Sequence, residues 1–449
     1  MRRRTMIQTL AGVGALSALS ACTPGSDEPQ GASSKDASAV STDVASAGKV
    51  TLTVWDQEVR GAQKEQMDEL NAAFQKKFPN VTIKRVTQSF DDLKKQVALA
   101  LSGKDVPDVC QINNARGDMG EFVKAGQLTD LSPYAQKYGW EGRFPESVRA
   151  KMTYSTDGVT FGEGKLFGLP QTGEVVGIFY SQKALDKVGG KEPSTWEEYF
   201  ALLEKAKSAG LQPMMLGNIE KWPALHVFGP LQAASVPTDE IVKLGMGNKG
   251  ADWTSKQNID ALQRLRDWGT KGWFGSSPNG LDYDAAWADF TKGKAAFLPG
   301  GSWLGPDMEK VMKEDLKFMA PPTGADGKLA TTGGTGIPFA IPAKAKNPDV
   351  AAAYLDFITN EDAMKVIADK GGMPVLNTAE LAPKSGVNKD IYQAFDKVST
   401  TGVLLPYLDY ATPTFSDTCG NALQELIGGR VTAQQAADKL EKDYAKFVG

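Results

Sequence analysis

Apolar and polar positions along the chain recur with two different periods, and the switches between them lay out the fold. Val50-Thr51-Leu52-Thr53-Val54-Trp55 alternates with period two, as a half-buried strand does, and the polar loop Asp56-Gln57-Glu58-Val59-Arg60 follows it. Met67, Leu70, Phe74 and Phe78 then recur at helical spacing until Pro79-Asn80 stops them. Val81-Thr82-Ile83-Lys84-Arg85-Val86 is a second strand, Asp91 is the expected cap of a helix carrying Leu93, Val97 and Leu101, and Pro107 to Ile112 is a third strand. This βαβαβ order predicts a parallel sheet with ligands held at the strand ends. The two loops there carry Asp56, Glu58 and Arg60, and Asn114, Arg116 and Asp118; a solvated salt-bridge group and a helix cap are the competing readings.

Lys165-Leu166-Phe167-Gly168-Leu169-Pro170-Gln171-Thr172-Gly173-Glu174-Val175-Val176-Gly177-Ile178-Phe179-Tyr180 reads as a strand passing from one α/β body into another. Apolar runs flank a polar centre, glycines 173 and 177 ease the crossing, and Gln171 and Glu174 are expected to be exposed where the bodies meet. An ordinary buried strand is the alternative. The run Thr331 to Ile341, containing Thr335, looks like a second crossing, because its Gly-Gly-Thr-Gly is too short to cradle a phosphate. Between the two, Ser194 or Thr195 caps a helix, Pro213 to Leu216 is a short strand, and a strand ending Gly300-Gly301-Ser302-Trp303 brings backbone and an indole close to a ligand. Asp349 to Ile358, Asp362 to Asp369 and most of Thr412 to Val448 read as helical.

Composition changes the picture at the amino end. Arg2, Arg3 and Arg4 precede an apolar run from Met6 to Ala21, too short for a membrane span, that reads as an export signal. It ends Leu19-Ser20-Ala21-Cys22, the pattern of a bacterial lipobox with Cys22 as the lipidated residue, and the general or twin-arginine route stays open. Thr23 to Gly48, rich in Ser, Ala and Gly and without an aromatic residue, predicts a disordered tether. Such a chain spans on the order of 25 to 30 Å. Of 449 residues, removal of the signal leaves 47 basic against 54 acidic, which argues against a nucleic-acid partner. Cys110 and Cys419 are expected to be two free buried thiols.

Candidate chemistry is sparse. The single histidine, His226, excludes a multi-histidine zinc site, and Ser302 has Leu304 where a nucleophile elbow has glycine. With no Walker loop, Cys-x-x-Cys or calcium loop, no catalytic residue, cofactor or metal is expected; a glycosidase, which needs only two facing carboxylates, is the enzyme alternative. Sugars pack an apolar face on aromatic rings and need paired donors and acceptors for their hydroxyls. Trp303, Trp222 and Trp287 stand beside polar loops and are ranked in that order, while Trp55, Trp196, Trp253 and Trp268 are assigned to core packing.

The chain from Lys49 to Pro374, and more loosely the whole mature chain, resembles the family 1 extracellular solute-binding proteins of ABC importers, the relatives of maltodextrin-binding protein. The resemblance rests on Gly168-Leu169-Pro170 leading to Ile178-Phe179-Tyr180-Ser181, on Pro193-Ser194-Thr195-Trp196-Glu197-Glu198, on Gly293-Lys294-Ala295-Ala296-Phe297 to Gly301-Ser302-Trp303, and on Gly371-Gly372-Met373-Pro374-Val375. It implies a two-lobed α/β fold of the periplasmic-binding-protein kind, with three interlobe crossings and a ligand cleft that closes by hinge motion. The expected layout is a signal at 1–21, lipidated cysteine and tether at 22–48, a first lobe from 49–174 and 335–377, and a second from 175–334 and 378–449. Glu174 falls at the first crossing, Thr335 at the second, and a third is expected near Thr378.

More narrowly, Thr53-Val54-Trp55-Asp56-Gln57-Glu58-Val59-Arg60-Gly61 and Lys221-Trp222-Pro223 look like actinobacterial lipoproteins that bind xylobiose and longer xylo-oligosaccharides, with Trp303 as the sugar platform. The ligand-facing set expected on all these grounds is Asp56, Glu58, Arg60, Asn114, Arg116, Asp118, Gln171, Glu174, Lys221, Trp222, Trp287, Gly301, Trp303 and Thr335. The implied protein is a lipid-anchored monomer on the outer face of the cell membrane. It would capture an oligosaccharide and hand it to ABC permease subunits driven by a separate ATPase. Receptors for cellobiose, another disaccharide or a polyamine are the alternatives.

Overall fold

The computed structural model describes residues 36–449. The export signal, Cys22 and the tether as far as residue 35 lie outside the described residues. In the first lobe, β1 (Val50–Asp56), β2 (Val81–Thr87) and β3 (Val109–Gln111) pair in parallel with β1 in the middle. Helices Gly61–Lys77 and Phe90–Ser102 connect them, giving the βαβαβ order read from the periodicity. The cap of the second helix is Ser89, not Asp91: its hydroxyl accepts from the Asp92 N–H at 3.2 Å, and Asp91 sits one position inside the first turn.

A short ribbon of β4 (Thr153–Tyr154) and β5 (Lys165–Leu166) leads to β6 (Gly173–Ser181), the central strand of the second lobe. There β7 (Gln212–Met214), β8 (Ala295–Gly301), β9 (Leu316–Met319) and β10 (Ala330–Thr335) join it, and the chain returns through β11 (Phe339–Ala340) to pair antiparallel with β3 before ending in the second sheet with β12 (Val403–Leu405). The second sheet runs β12, β10, β6, β8, β7, with β9 also on β6. Each sheet has its own core, one built around Phe74, Trp140 and Tyr354 and the other around Phe228, Trp253 and Trp268.

Three segments cross between the lobes side by side. Leu169 bridges Phe339 and Thr172 bridges Pro374; Gly336 N donates to Thr172 O at 2.9 Å, and Val375 N to Gln171 O at 3.0 Å. Backbone pairing across all three holds the lobes at one edge and leaves the opposite edges to move.

Two expectations change here. Gln171 is buried, because its amide donates to Ile358 O at 2.8 Å and so belongs to the packing beneath the crossing. The tether does not extend to Gly48. Val40 and Val44 are each 4% exposed and join the core of the first lobe, Ser41 N donates to Asp349 Oδ2 at 3.2 Å, and Asn80 Nδ2 donates to Val44 O and Gly48 O at 2.8 Å. Two valines in an otherwise small and polar stretch are enough apolar surface to fasten it. Cys110 in β3 and Cys419 in the helix Phe415–Ile427 are both buried and unpaired.

Candidate functional site

Between the lobes lies a cleft of about 830 Å³, counting its open mouth, and its two walls differ in chemistry. The first lobe supplies Gln57, Arg60, Gln63, Asn113 and Asn114, with Phe90 as its one ring; the second supplies Trp222, His226, Trp303, Tyr407 and Tyr410. Glu174, Thr335 and Ile337 come from the crossing segments and form the back.

The ring wall is built around Trp303. An ideal Cβ on Gly301 would sit 2.0 Å from Trp303 Cη2, so the indole folds back over a residue that must lack a side chain. Trp303 Nε1 donates to the Tyr283 hydroxyl at 2.9 Å, which fixes the ring's tilt. His226 packs edge-on at 5.3 Å from Trp303 and lies 5.2 Å from Trp222, and Trp222 lies 4.5 Å from Tyr283. Trp222 begins the helix Trp222–Gln232, and the residue before it, Lys221, takes a φ of +69°, a strained turn for a side-chain-bearing residue that aims the indole at the cleft. Trp222 Nε1 reaches Asp91 Oδ2 of the other lobe at 3.4 Å.

Burial governs the ionisable groups at the back. It lifts the Glu174 carboxyl to about 8, helped by the nearby Glu58 charge, so Glu174 is mainly protonated at neutral pH. Glu174 Oε2 accepts from the Tyr407 hydroxyl at 3.2 Å. Burial presses His226 down to about 3 and keeps it neutral. Among the described residues the cleft lining thus carries one cation, Arg60, and two carboxyls, Glu174 and Asp409, both raised by burial. Arg60 bonds Asp284 of the second lobe at 2.9 Å and lies over the Tyr283 ring at 5.6 Å. Thr335 Oγ1, His226 Nδ1 and Gln63 Oε1 are buried atoms with no hydrogen-bond partner among the described residues. Orphaned polar atoms at a cleft wall are what a hydroxyl-bearing ligand would satisfy.

Of the residues singled out from sequence, Arg60, Asn114, Glu174, Trp222, Trp303 and Thr335 come together on the cleft, and Gly301 supports it from behind Trp303. The others do not line it. Asp56 is fully buried and pairs with Arg85 through both carboxylate oxygens at 2.7 Å, and Glu58 accepts from Gln111 Nε2 at 2.7 Å. Arg116 donates to Tyr410 O at 2.6 Å, and Asp118 pairs with Lys94 at 3.1 Å. Gln171 is buried below the crossing, Lys221 acts through its backbone, and Trp287 is held by Asp284 Oδ1 at 2.9 Å away from the cleft.

Sequence reading missed Gln57, Gln63, His226, and the segment Tyr407-Leu408-Asp409-Tyr410. Asp409 Oδ2 accepts from Asn113 Nδ2 at 2.9 Å and Asn114 Oδ1 from the Tyr410 hydroxyl at 2.9 Å, so this segment reaches across to the first lobe. Its signal was a pair of tyrosines around an aspartate directly after a strand, the same arrangement credited to Trp303.

Residues 58–365 match the family described as "Bacterial extracellular solute-binding protein". The "Multiple sugar-binding protein" of Streptococcus mutans is 28% identical over 332 residues, covering 70% of this chain and 73% of its own. The "Maltooligosaccharide ABC transporter solute-binding lipoprotein" of Streptococcus pneumoniae R6 is 23% identical over 395 residues, covering 86% of each. A solved structure from work on xylan utilization by the thermophilic bacterium Caldanaerobius polysaccharolyticus superposes with a TM-score of 0.74 at 23% identity, covering 87% of this chain and 99% of that one. With two hinged lobes around one cleft and a family match over more than half its length, the chain belongs to the bacterial extracellular solute-binding proteins, which are receptors and not enzymes.

Proposed function

We propose that this protein is the lipid-anchored receptor of an ABC importer that captures a short oligosaccharide, xylobiose or a longer xylo-oligosaccharide, and delivers it to a membrane permease. The observation that carries the reading is the pairing of walls: rings from one lobe face amides and a guanidinium from the other across a hinge. A pyranose ring needs both, a flat apolar platform and bidentate polar partners around its rim. Glu174 at the back, mainly protonated at neutral pH, and the neutral His226 suit an uncharged solute.

The sugar-binding and maltooligosaccharide relatives support the class of cargo, and the xylan-utilization structure supports the choice of pentose chain. The lipobox ending at Cys22 and the pneumococcal lipoprotein relative support the anchor. Arg60 meets Asp284 and Trp222 meets Asp91 across the cleft, so a sugar lying between the walls would stabilise contacts between the lobes themselves. Calorimetric titration of the purified protein with xylobiose, xylotriose, cellobiose and maltose tests this. Binding of the xylose chains, with the sugar recovered uncleaved, is expected; binding of none of the four would overturn it.

A further inference from the structure

The helix Gly61–Lys77 of the first lobe starts without a cap of its own. Its N-cap position is Arg60, whose side chain makes no capping hydrogen bond, and its first turn holds no acid. The free N–H groups of a first turn form the positive end of the helix dipole, which a capping oxygen or a nearby carboxylate ordinarily answers. Elsewhere the chain provides this locally: Ser89, Thr195, Asp282 and Asn360 each cap the helix that follows them through the side chain.

An anion does stand at that end, but it comes from the second lobe. Asp307 lies in the first turn of the helix Gly305–Met312, whose Met308 packs with Phe179 and Leu298 in the core of the second lobe. Its Oδ1 sits 2.7 Å from where a Cβ on Gly61 would be, and its side chain is only 14% exposed. Gly61 admits this approach because it has no side chain. Asp307 therefore stands between two helix starts, its own and that of the first lobe. Lys310, one turn on, pairs with Asp307 at 3.2 Å and reaches Glu65 of the first-lobe helix at 3.7 Å. None of these residues belongs to the three crossing segments.

We infer that Asp307 caps the Gly61–Lys77 helix in trans, from the other lobe, so that this helix end is complete only when the lobes are together. Opening withdraws the carboxylate and leaves the helix start to water, and the uncapped end thereby favours closure. The same helix start carries Arg60 and Gln63 into the main cleft, so Asp307 is a positioning residue that acts on the solute through them. The inference rests on the two-lobed receptor fold and not on which solute is bound. It also separates closure from ordinary packing. Gly61→Glu gives the helix an acid of its own in the first turn, which favours the helix, and sets a like charge against Asp307, which opposes closure. Stability and closure should then move in opposite directions.

The test places spin labels on Lys104→Cys in the first lobe and Lys205→Cys in the second, both exposed positions, and measures the distance between them without solute and with xylobiose. Cys110 and Cys419 are buried and stay unlabelled. Asp307→Asn and Gly61→Glu should each lower the ratio of short, closed distances to long, open ones by about two- to fivefold, and Gly61→Glu should melt no lower than wild type. Adding Asp307→Asn to Gly61→Glu relieves the repulsion and should recover part of the closed population, a rescue that lost packing would not give. Distances that are the same in wild type and both single variants, or a double variant more open than Gly61→Glu alone, would overturn the trans cap. If xylobiose changes no distance, the choice of xylose chains fails, and the distances without solute still decide the cap.

Discussion

Arg60 and Asp284 pair at 2.9 Å, one residue from each lobe, with Arg60 largely buried on the cleft and Asp284 more than half exposed. The pair joins a side chain that lines the cleft directly to the other lobe. Its exposed end limits its strength to about 0.2–1 kcal/mol. Asp284→Ala should weaken ligand binding by about two- to fivefold and reduce its salt dependence, as measured by titration at low and high ionic strength. Unchanged affinity at both would show that the pair does not take part in closure.

Gly301 and Trp303 should act as one unit. Gly301→Ala puts a methyl where the indole lies and must push the ring aside, so its effect on sugar affinity should match that of Trp303→Ala. Loss of an aromatic contact with its buried area predicts about tenfold or more. With nine tryptophans in the chain, the sugar-induced fluorescence change of wild type that is missing in Trp303→Ala reports this ring. An alanine at 301 that binds as wild type does would mean the ring is not the platform.

Glu174 sets a pH dependence whose sign is fixed by its burial. The free acid titrates at 4.5 and the folded one at about 8, so between these values the folded chain holds a proton that the unfolded chain has released. Stability contributed by this group therefore falls as pH rises from about 4.5 to about 8 and stays lowered above. Glu174→Gln cannot ionise and should melt close to wild type near pH 5 and above it at pH 9. The groups facing Glu174, namely Glu58, Arg60 and Tyr407, are kept in both proteins, so the difference between the two melts isolates position 174. A melting difference that does not change with pH would show the carboxyl ionised in the folded state.

His226 gives an independent reading of the same cleft. Because it is the sole histidine, its ring protons form a single set of NMR signals. With burial pressing it to about 3, those signals should not move between pH 5 and 8. In the unfolded chain the ring binds a proton below about 6.5, so this group removes stability as pH falls below that value. A titration midpoint near 6.5 in the folded protein would place the ring in water.

Val40 and Val44 should contribute measurably to the stability of the first lobe. Replacing both by alanine is expected to cost about 2 to 4 kcal/mol, read from urea unfolding of the purified protein. An unchanged midpoint would show that the segment before β1 adds nothing to the lobe.

Sequence patterns showed most of the fold and six of the seventeen residues that line the cleft. The parallel β1, β2, β3 unit, the crossing at Gly173 and the second at Thr335 follow from apolar spacing and glycine placement, and Trp303 and Trp222 from rings beside polar turns. Asp56 was misread although the signal was present. Val50, Leu52 and Val54 face the core, and period two puts Asp56 on that same face; on β2 the phase of Val81 and Ile83 does the same for Arg85, which meets it. The strand-end rule pointed to the right loop, but the pleat gave the cleft to Gln57 and Arg60. Tyr407 and Asp409 carried a local signal, rings around an acid after a strand, but only the docking of their segment against the loop after β3 brings them to the cleft.

The fastening of Val40 and Val44 into the first lobe has a mechanical meaning. Tension arriving along the amino-terminal chain is delivered into the core of the first lobe, ahead of β1, and never passes through the three crossing segments. The amino-terminal segment thus enters the molecule on the lobe that carries the amides of the cleft, not on the lobe that carries Trp222 and Trp303.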